Sequence, residues 1–215
     1  MRLRNVKNKE EILNASSYLI KCPMEYKGKW KELFGNDNPI YIEIGMGKGK
    51  FIIENALTYP DINFIGIEKF DSVLARSLPK IPDNIKNLYI IRMDAKEIEN
   101  VFDKEISRIY LNFSDPWPKV RHHLRRLSSK VFLEKYDLIF VDDASIYMRT
   151  DNQGLYIYSL MSFSEAGYVL SDITFDLHSL EINNLITTEY EDKFSSKGMP
   201  IYAVVASKKK CQKGK

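Results

Sequence analysis

What most limits the folds open to this chain is an alternation along it. Short apolar segments rich in Ile, Val and Tyr are each followed by a stretch of helical periodicity. Ile40-Tyr41-Ile42-Glu43-Ile44, bounded by Pro39 and Gly45, reads as a strand. Phe51 to Tyr59 reads as the helix after it, with Phe51, Ile52, Asn55 and Ala56 on or near one face. The same reading predicts strands at 63–67, 88–92, 108–112 and 144–149, and helices at 70–78, 95–102, 124–140 and 152–166. Helices at 9–20 and 28–34 precede the series. Strands alternating with helices predict an α/β fold whose mostly parallel sheet is covered by helices on both faces. The closing β-rich segments, 168–175 and 201–206, have no long helix between them and predict an antiparallel pair at one edge. In such sheets ligands bind beyond the carboxyl ends of the strands, so those ends carry the functional reading.

At 215 residues the chain is long enough for one domain spanning 1–215, with an N-terminal extension of about 1–38 and a Lys-rich tail at 207–215. Its longest apolar run is six residues, Ile201 to Ala206. That is far short of the roughly 20 needed to span a bilayer, so no membrane partner is expected. The basic N-terminus is not followed by an apolar stretch, which predicts no secretory signal. Cys22 and Cys211 are too few for a disulfide framework or a zinc site. Two unpaired thiols fit a reducing cytoplasm, and no metal is expected.

The first strand of the series ends in Glu43-Ile44-Gly45-Met46-Gly47-Lys48-Gly49-Lys50. Glycines between a strand and a helix let the backbone turn sharply and approach a ligand. The spacing is G-x-G-x-G, not the G-x-G-x-x-G of dinucleotide binding. Glu43 just before the loop would repel a pyrophosphate and suits an ammonium group. The next strand ends in Gly66-Ile67-Glu68, which places a carboxylate to accept from two ribose hydroxyls. The third ends in Asp94-Ala95, with Asp94 placed to accept from an adenine amino group and Ala95 offering its backbone N–H. Each acid has a plain alternative role as a helix cap. Three such ends on successive strands point to a ligand site, and the glycine spacing with Glu43 favours S-adenosylmethionine over NAD.

The fourth strand runs into Asn112-Phe113-Ser114-Asp115-Pro116-Trp117-Pro118-Lys119. Two prolines around a tryptophan make a stiff loop, suited to holding the Asp115 carboxylate against a substrate. Val120-Arg121-His122-His123-Leu124-Arg125-Arg126 follows, and residues 116–133 hold five Lys or Arg and no acid. Beside the loop, that run predicts contact with a phosphate backbone. The His122-His123 pair has no Cys or further His nearby to complete a metal site. The formal charge of +3 hides a division. The 116–133 and 207–215 segments carry +10, and the other residues hold 22 bases and 29 acids, a net of −7.

These residues resemble the bacterial tRNA (guanine-N7-)-methyltransferase family, within the Rossmann-like class I methyltransferases. The resemblance runs from about residue 24 to 206. Its most specific part is the Asn112–Lys119 string. It also takes in the glycine loop, the ends at Glu68 and Asp94, the 121–126 run, Thr150-Asp151-Asn152, and Thr188-Glu189-Tyr190-Glu191-Asp192-Lys193-Phe194. It implies a mostly parallel seven-stranded sheet with an antiparallel edge strand, S-adenosylmethionine as methyl donor, and tRNA as partner of a monomer or homodimer. Glu43, Gly45, Gly47, Glu68, Asp94, Ala95 and Asp115 would bind the donor, with Asp115 also catalytic. Lys119, Asp151, Thr188, Glu189, Tyr190 and Glu191 would bind the substrate, and Arg121, His122, His123, Leu124, Arg125 and Arg126 the RNA. The implied target is the guanine at position 46 in the tRNA variable loop. Val120 and Arg149 stand where the family has Lys, His123-Leu124 replaces a more polar pair, and residues 141–145 lack its Gly-Gly turn. An RNA methyltransferase acting on an exocyclic amine, and a non-catalytic tRNA-binding subunit on the same scaffold, are the alternatives.

Overall fold

The computed structural model describes residues 6–208. Arg2, Arg4, Cys211 and the tail beyond Lys208 lie outside the described residues. Eight strands form one sheet: β1 (Leu19–Ile20), β2 (Ile40–Ile44), β3 (Asn63–Glu68), β4 (Leu88–Arg92), β5 (Ile106–Asn112), β6 (Phe140–Thr150), β7 (Val169–Thr174) and β8 (Tyr202–Ser207). Their spatial order is β1-β4-β3-β2-β5-β6-β8-β7. All neighbouring pairs are parallel except those made by β8, which runs antiparallel to β6 and β7. The expected antiparallel pair is therefore present, with β8 one place in from the edge.

The period-2 pattern of the strands divides the core in two. Ile40, Ile42 and Ile44 point to one face with Ile109, Leu111, Trp30, Phe102 and Tyr136. Phe64, Leu88, Ile90 and Tyr110 point to the other, against Ile52, Phe51 and Leu74. The second face is covered by α1 (Lys9–Ala15), α3 (Lys50–Thr58) and α4 (Asp71–Ser77). The first is covered by α2 (Trp30–Phe34), α5 (Ile98–Val101), α6 (Lys130–Ile139) and α7 (Gln153–Glu165). An eighth helix, α8 (Glu189–Ser195), lies in the connection between β7 and β8.

Three expectations are corrected. The helix read over 9–20 stops at Ala15, where Ser16 turns extended, and Leu19–Ile20 pairs with Ile90–Ile91 as an eighth strand. The helix read over 124–140 begins only at Lys130; Val120–Arg125 is a 3₁₀ segment. The fifth strand of the series is longer than 144–149 and begins at Phe140. Phe140 pairs with Ile106 and Ser145 with Arg108, so the residues between bulge from the ladder, leaving Asp142 and Asp143 exposed. That bulge occupies the place of the missing Gly-Gly turn.

Candidate active site

The carboxyl ends of β2, β3, β4 and β5 meet at a cavity of about 480 Å³. Its wall includes Gly45, Glu68, Asp94, Ala95, Asn112 and Asp115, so residues from four separate strand ends of the sequence reading come together. Gly45, Gly47 and Gly49 have φ of 79°, 58° and 85°, a region that disfavours any side chain, and this lets β2 reverse into α3. The Gly45 and Met46 N–H groups donate to Ile67 O at 2.8 and 3.0 Å and hold the loop against β3. Gly66 lies under the same loop, and any larger residue would displace the side chains packed over it. A Cβ there would lie 2.3 Å from the Met46 sulfur and 2.9 Å from an Ile90 methyl.

Glu68 Oε1 accepts from the Lys69 and Phe70 N–H groups at 2.9 and 3.1 Å, and Oε2 accepts from Gly47 N–H at 3.3 Å. Burial raises its pKa in spite of those donors. Asp94 caps the short turn after β4, accepting from Lys96 N–H at 3.1 Å, and its other oxygen lies 3.9 Å from Lys69 Nζ. The capping alternative for Asp94 is thus realised without removing it from the cavity wall.

Glu43 lies behind that wall. It is 1% exposed, and its Oε1 accepts from Asn112 Nδ2 at 2.8 Å. Its Oε2 and Asn112 Oδ1 have no hydrogen-bond partner among the described residues. Burial pushes the Glu43 pKa up to about 7, with Asn112 and Arg149 pulling the other way. An unpaired buried carboxylate oxygen is costly, and a cationic ligand group arriving beside Asn112 would relieve it.

Asp115 is exposed at the cavity rim, on a loop in which Phe113 and Trp117 have φ of 50° and 41°. The remaining substrate residues gather nearby, off the cavity wall. Tyr190 OH donates to Asp151 Oδ2 at 3.2 Å, and its ring packs 5.0 Å from that of Phe113, which lines the cavity. Thr188 caps α8 in a reciprocal box with Glu191. Glu189 pairs with Lys80 at 2.8 Å. Glu191 is fully buried, 3.0 Å from both Arg149 Nη1 and His178 Nε2. It is thus spent within the protein, whereas the resemblance makes it a substrate contact. In the basic run Arg121, Leu124 and Arg125 are exposed, His122 and His123 half-buried, and Lys119 is exposed at its start. Only Arg125 of these lines the cavity.

The family model described as "Putative methyltransferase" matches residues 37–204. A tRNA (guanine-N(7)-)-methyltransferase of Geobacillus sp. (strain WCH70) is 52% identical over 205 residues, covering 94% of this chain and 93% of that protein. One of the same name from Lachnoclostridium phytofermentans is 49% identical over 213 residues, 98% of this chain and 100% of that protein. The chain belongs to the tRNA (guanine-N7-)-methyltransferase family. Its fold is that of Rossmann-like methyltransferases. The 16S rRNA methyltransferase KamB superposes with a TM-score of 0.62 at 14% identity, covering 85% of this chain and 93% of KamB. A 16S rRNA (adenine(1408)-N(1))-methyltransferase from Catenulisporales acidiphilia, with cosubstrate SAM, superposes at 0.61 and 10% identity, covering 87% and 93%.

Several residues in this family member's site were missed by the sequence reading or were given no role in it, Arg149 among the latter. Asn112 was visible only as part of a string, although among the described residues it is the hydrogen-bond partner of Glu43. Arg149 ties Glu191 to the field at Glu43, and donates to Ile186 O at 2.7 Å. Lys69 and Lys96 add positive charge at the cavity. Among the described residues no group of three or more His, Cys, Asp and Glu is arranged to hold a metal, and no helix is long and apolar enough to cross a membrane.

Proposed function

We propose that the protein transfers the methyl group of S-adenosylmethionine to N7 of guanine in tRNA, and that the guanine is position 46 of the variable loop. The observation that carries this reading is the buried Glu43–Asn112 pair, with its unpartnered oxygens, standing behind a cavity edged by Glu68, Asp94 and Asp115. An ammonium group suits Glu43, two vicinal hydroxyls suit Glu68, and an adenine amino edge suits Asp94 with the Ala95 N–H. S-adenosylmethionine carries all three and supplies an electrophilic methyl on sulfonium sulfur.

Guanine N7 has an in-plane lone pair and no proton, so no side chain has to act as a base toward it. The task left to the protein is alignment, the usual source of most of the gain in such a displacement. Asp115, at the rim, faces the positive charge that develops on the guanine imidazole ring and stabilises it. Asp151, oriented by Tyr190, accepts from the guanine N1–H and N2 amine, groups that adenine lacks in that pattern. Because N7 is enclosed in folded tRNA, the base leaves its stack to react. Arg121, Arg125 and Lys119 then meet the phosphates beside it.

Methyl transfer to total tRNA, with the site mapped by reduction and aniline cleavage, tests the reading. Chain breakage at one guanine is expected, and a product that resists cleavage would point to an exocyclic amine. Asp115→Ala is expected to lose turnover by about a hundredfold or more while keeping the fold. Near-normal turnover would remove Asp115 from the chemistry.

A further inference from the structure

The basic run contains two adjacent arginines that the structure puts to opposite uses. Arg125 is exposed, lines the cavity, and sets its guanidinium 5.0 Å from the Trp117 ring. Arg126 turns inward. Its Nε donates to Pro116 O at 2.9 Å and its Nη2 to Trp117 O at 3.2 Å. Its guanidinium lies 4.2 Å from the Tyr158 ring on α7.

Those two carbonyls stand on either side of the Trp117 α-carbon. Trp117 has φ of 41°, a conformation that a residue with a Cβ keeps only where its surroundings enforce it. Prolines on both sides restrict the chain further but donate no hydrogen bond to hold it. One planar fork reaches both carbonyls at once, which a lysine ammonium on a flexible stem does less well. The base from which Arg126 reaches is itself anchored. Ser128 Oγ and Ser159 Oγ lie 2.6 Å apart, joining the residue before the α6 cap to α7, and Ser129 Oγ donates to Leu124 O at 3.0 Å.

We infer that Arg126 is a positioning residue for the Asp115 loop, not a phosphate contact: its fork clamps the carbonyls around Trp117 against Tyr158 and so fixes where the Asp115 carboxylate stands. Arg125, one residue earlier, keeps its charge for the RNA. This revises the expectation that Arg126 touches RNA, and it rests on the tRNA methyl-transfer reading above.

The test compares Arg126→Ala, Arg126→Lys and Arg125→Ala with the unaltered protein. It measures kcat at saturating tRNA and donor, KM for tRNA, and the slope of log Kd against log salt for tRNA. Thermal unfolding and S-adenosylhomocysteine binding check that the variants fold. Arg126→Ala is expected to lower kcat by about ten- to a hundredfold, as a displaced catalytic group does, with KM and the salt slope unchanged. Arg126→Lys restores the charge but not the fork and is expected to stay impaired. Arg125→Ala is expected to reduce the salt slope by about 0.7–0.9. A similar reduction in Arg126→Ala, an unchanged kcat in that variant, or full rescue by Arg126→Lys would each overturn the inference. Should Arg126→Ala not fold, Arg126→Lys decides by the same readouts. Failure of the unaltered protein to methylate tRNA would instead sink the underlying reading.

Discussion

Glu43 and Glu191 are both buried glutamates, 1% and 0% exposed, and they are treated in opposite ways. Glu191 is saturated. Arg149 donates to it at 3.0 Å, His178 lies 3.0 Å away, and the Thr188 N–H closes its capping box. Glu43 receives one hydrogen bond, from Asn112, and keeps an oxygen with no partner. A buried carboxylate that is fully paired is part of the scaffold, and its charge is settled inside the protein. One left half-paired beside a cavity keeps an oxygen able to accept a further hydrogen bond. The difference separates one carboxylate closed off inside the protein from one with an open oxygen, although the sequence offers both simply as glutamates near family motifs.

Removing either carboxylate tests that contrast. Glu191→Gln keeps the shape and removes the charge, leaving Arg149 buried without its ionic partner. Loss of about 3–5 kcal/mol in urea unfolding is expected. A loss below about 1 kcal/mol would show that Glu191 is not the anchor of this corner and would break the comparison.

Glu43→Gln is expected to act with the opposite sign. The native pKa of Glu43 is raised to about 7 from 4.5 by burial, so above 4.5 the unfolded chain ionises while the native one still holds its proton. Native stability tied to this group is complete below about pH 4.5 and is lost as pH rises toward 7. The glutamine does not titrate, so the variant is expected to gain on the unaltered protein between pH 5 and 7.5. The gain is on the order of 2–3 kcal/mol. Urea midpoints at the two pH values measure it. If Glu43 meets the donor's ammonium group as proposed, the same variant is expected to bind S-adenosylhomocysteine more weakly, because the amide carries no charge. A more stable protein with undiminished ligand affinity would separate Glu43 from the donor site.

The smallest effect is expected from the exposed partner of Glu189. Lys80→Ala removes an ion pair whose side chains are 46% and 34% exposed. Only about 0.2–1 kcal/mol should be lost, and less at high salt. A larger loss would mean that α8 hangs on its surface pairs and not on the buried Glu191.

Most of the strand series could be read directly, because side chains that alternate in and out of a sheet leave a period of two in the chain itself. The glycine loop and the acids at 68 and 94 were legible for the same reason, each lying at the end of a recognisable strand. The first 20 residues were not. Leu19–Ile20 becomes a strand only because β4 offers it an open edge, and two residues hold no period. Residues 120–126 read as one basic surface, since side-chain direction in a 3₁₀ segment depends on what lies beneath it. Here that is the pair of carbonyls at Pro116 and Trp117. Residues 141–145 stood out for lacking the family's Gly-Gly turn, but the bulge itself appears only when β6 is laid against β5.

By itself, then, the sequence determined the order of strands and helices from β2 to α7, the acidic strand ends, the rigid Asp115 loop and the family. All of these are written in local pattern or in short motifs. Tertiary structure alone decided which carboxylates are spent and which are left open. Glu191 finds Arg149 across 42 residues and Glu43 finds Asn112 across 69, while the second oxygen of Glu43 finds nothing. The pairing of a buried charge depends on what folding brings beside it, and that distance in space has no signature along the chain.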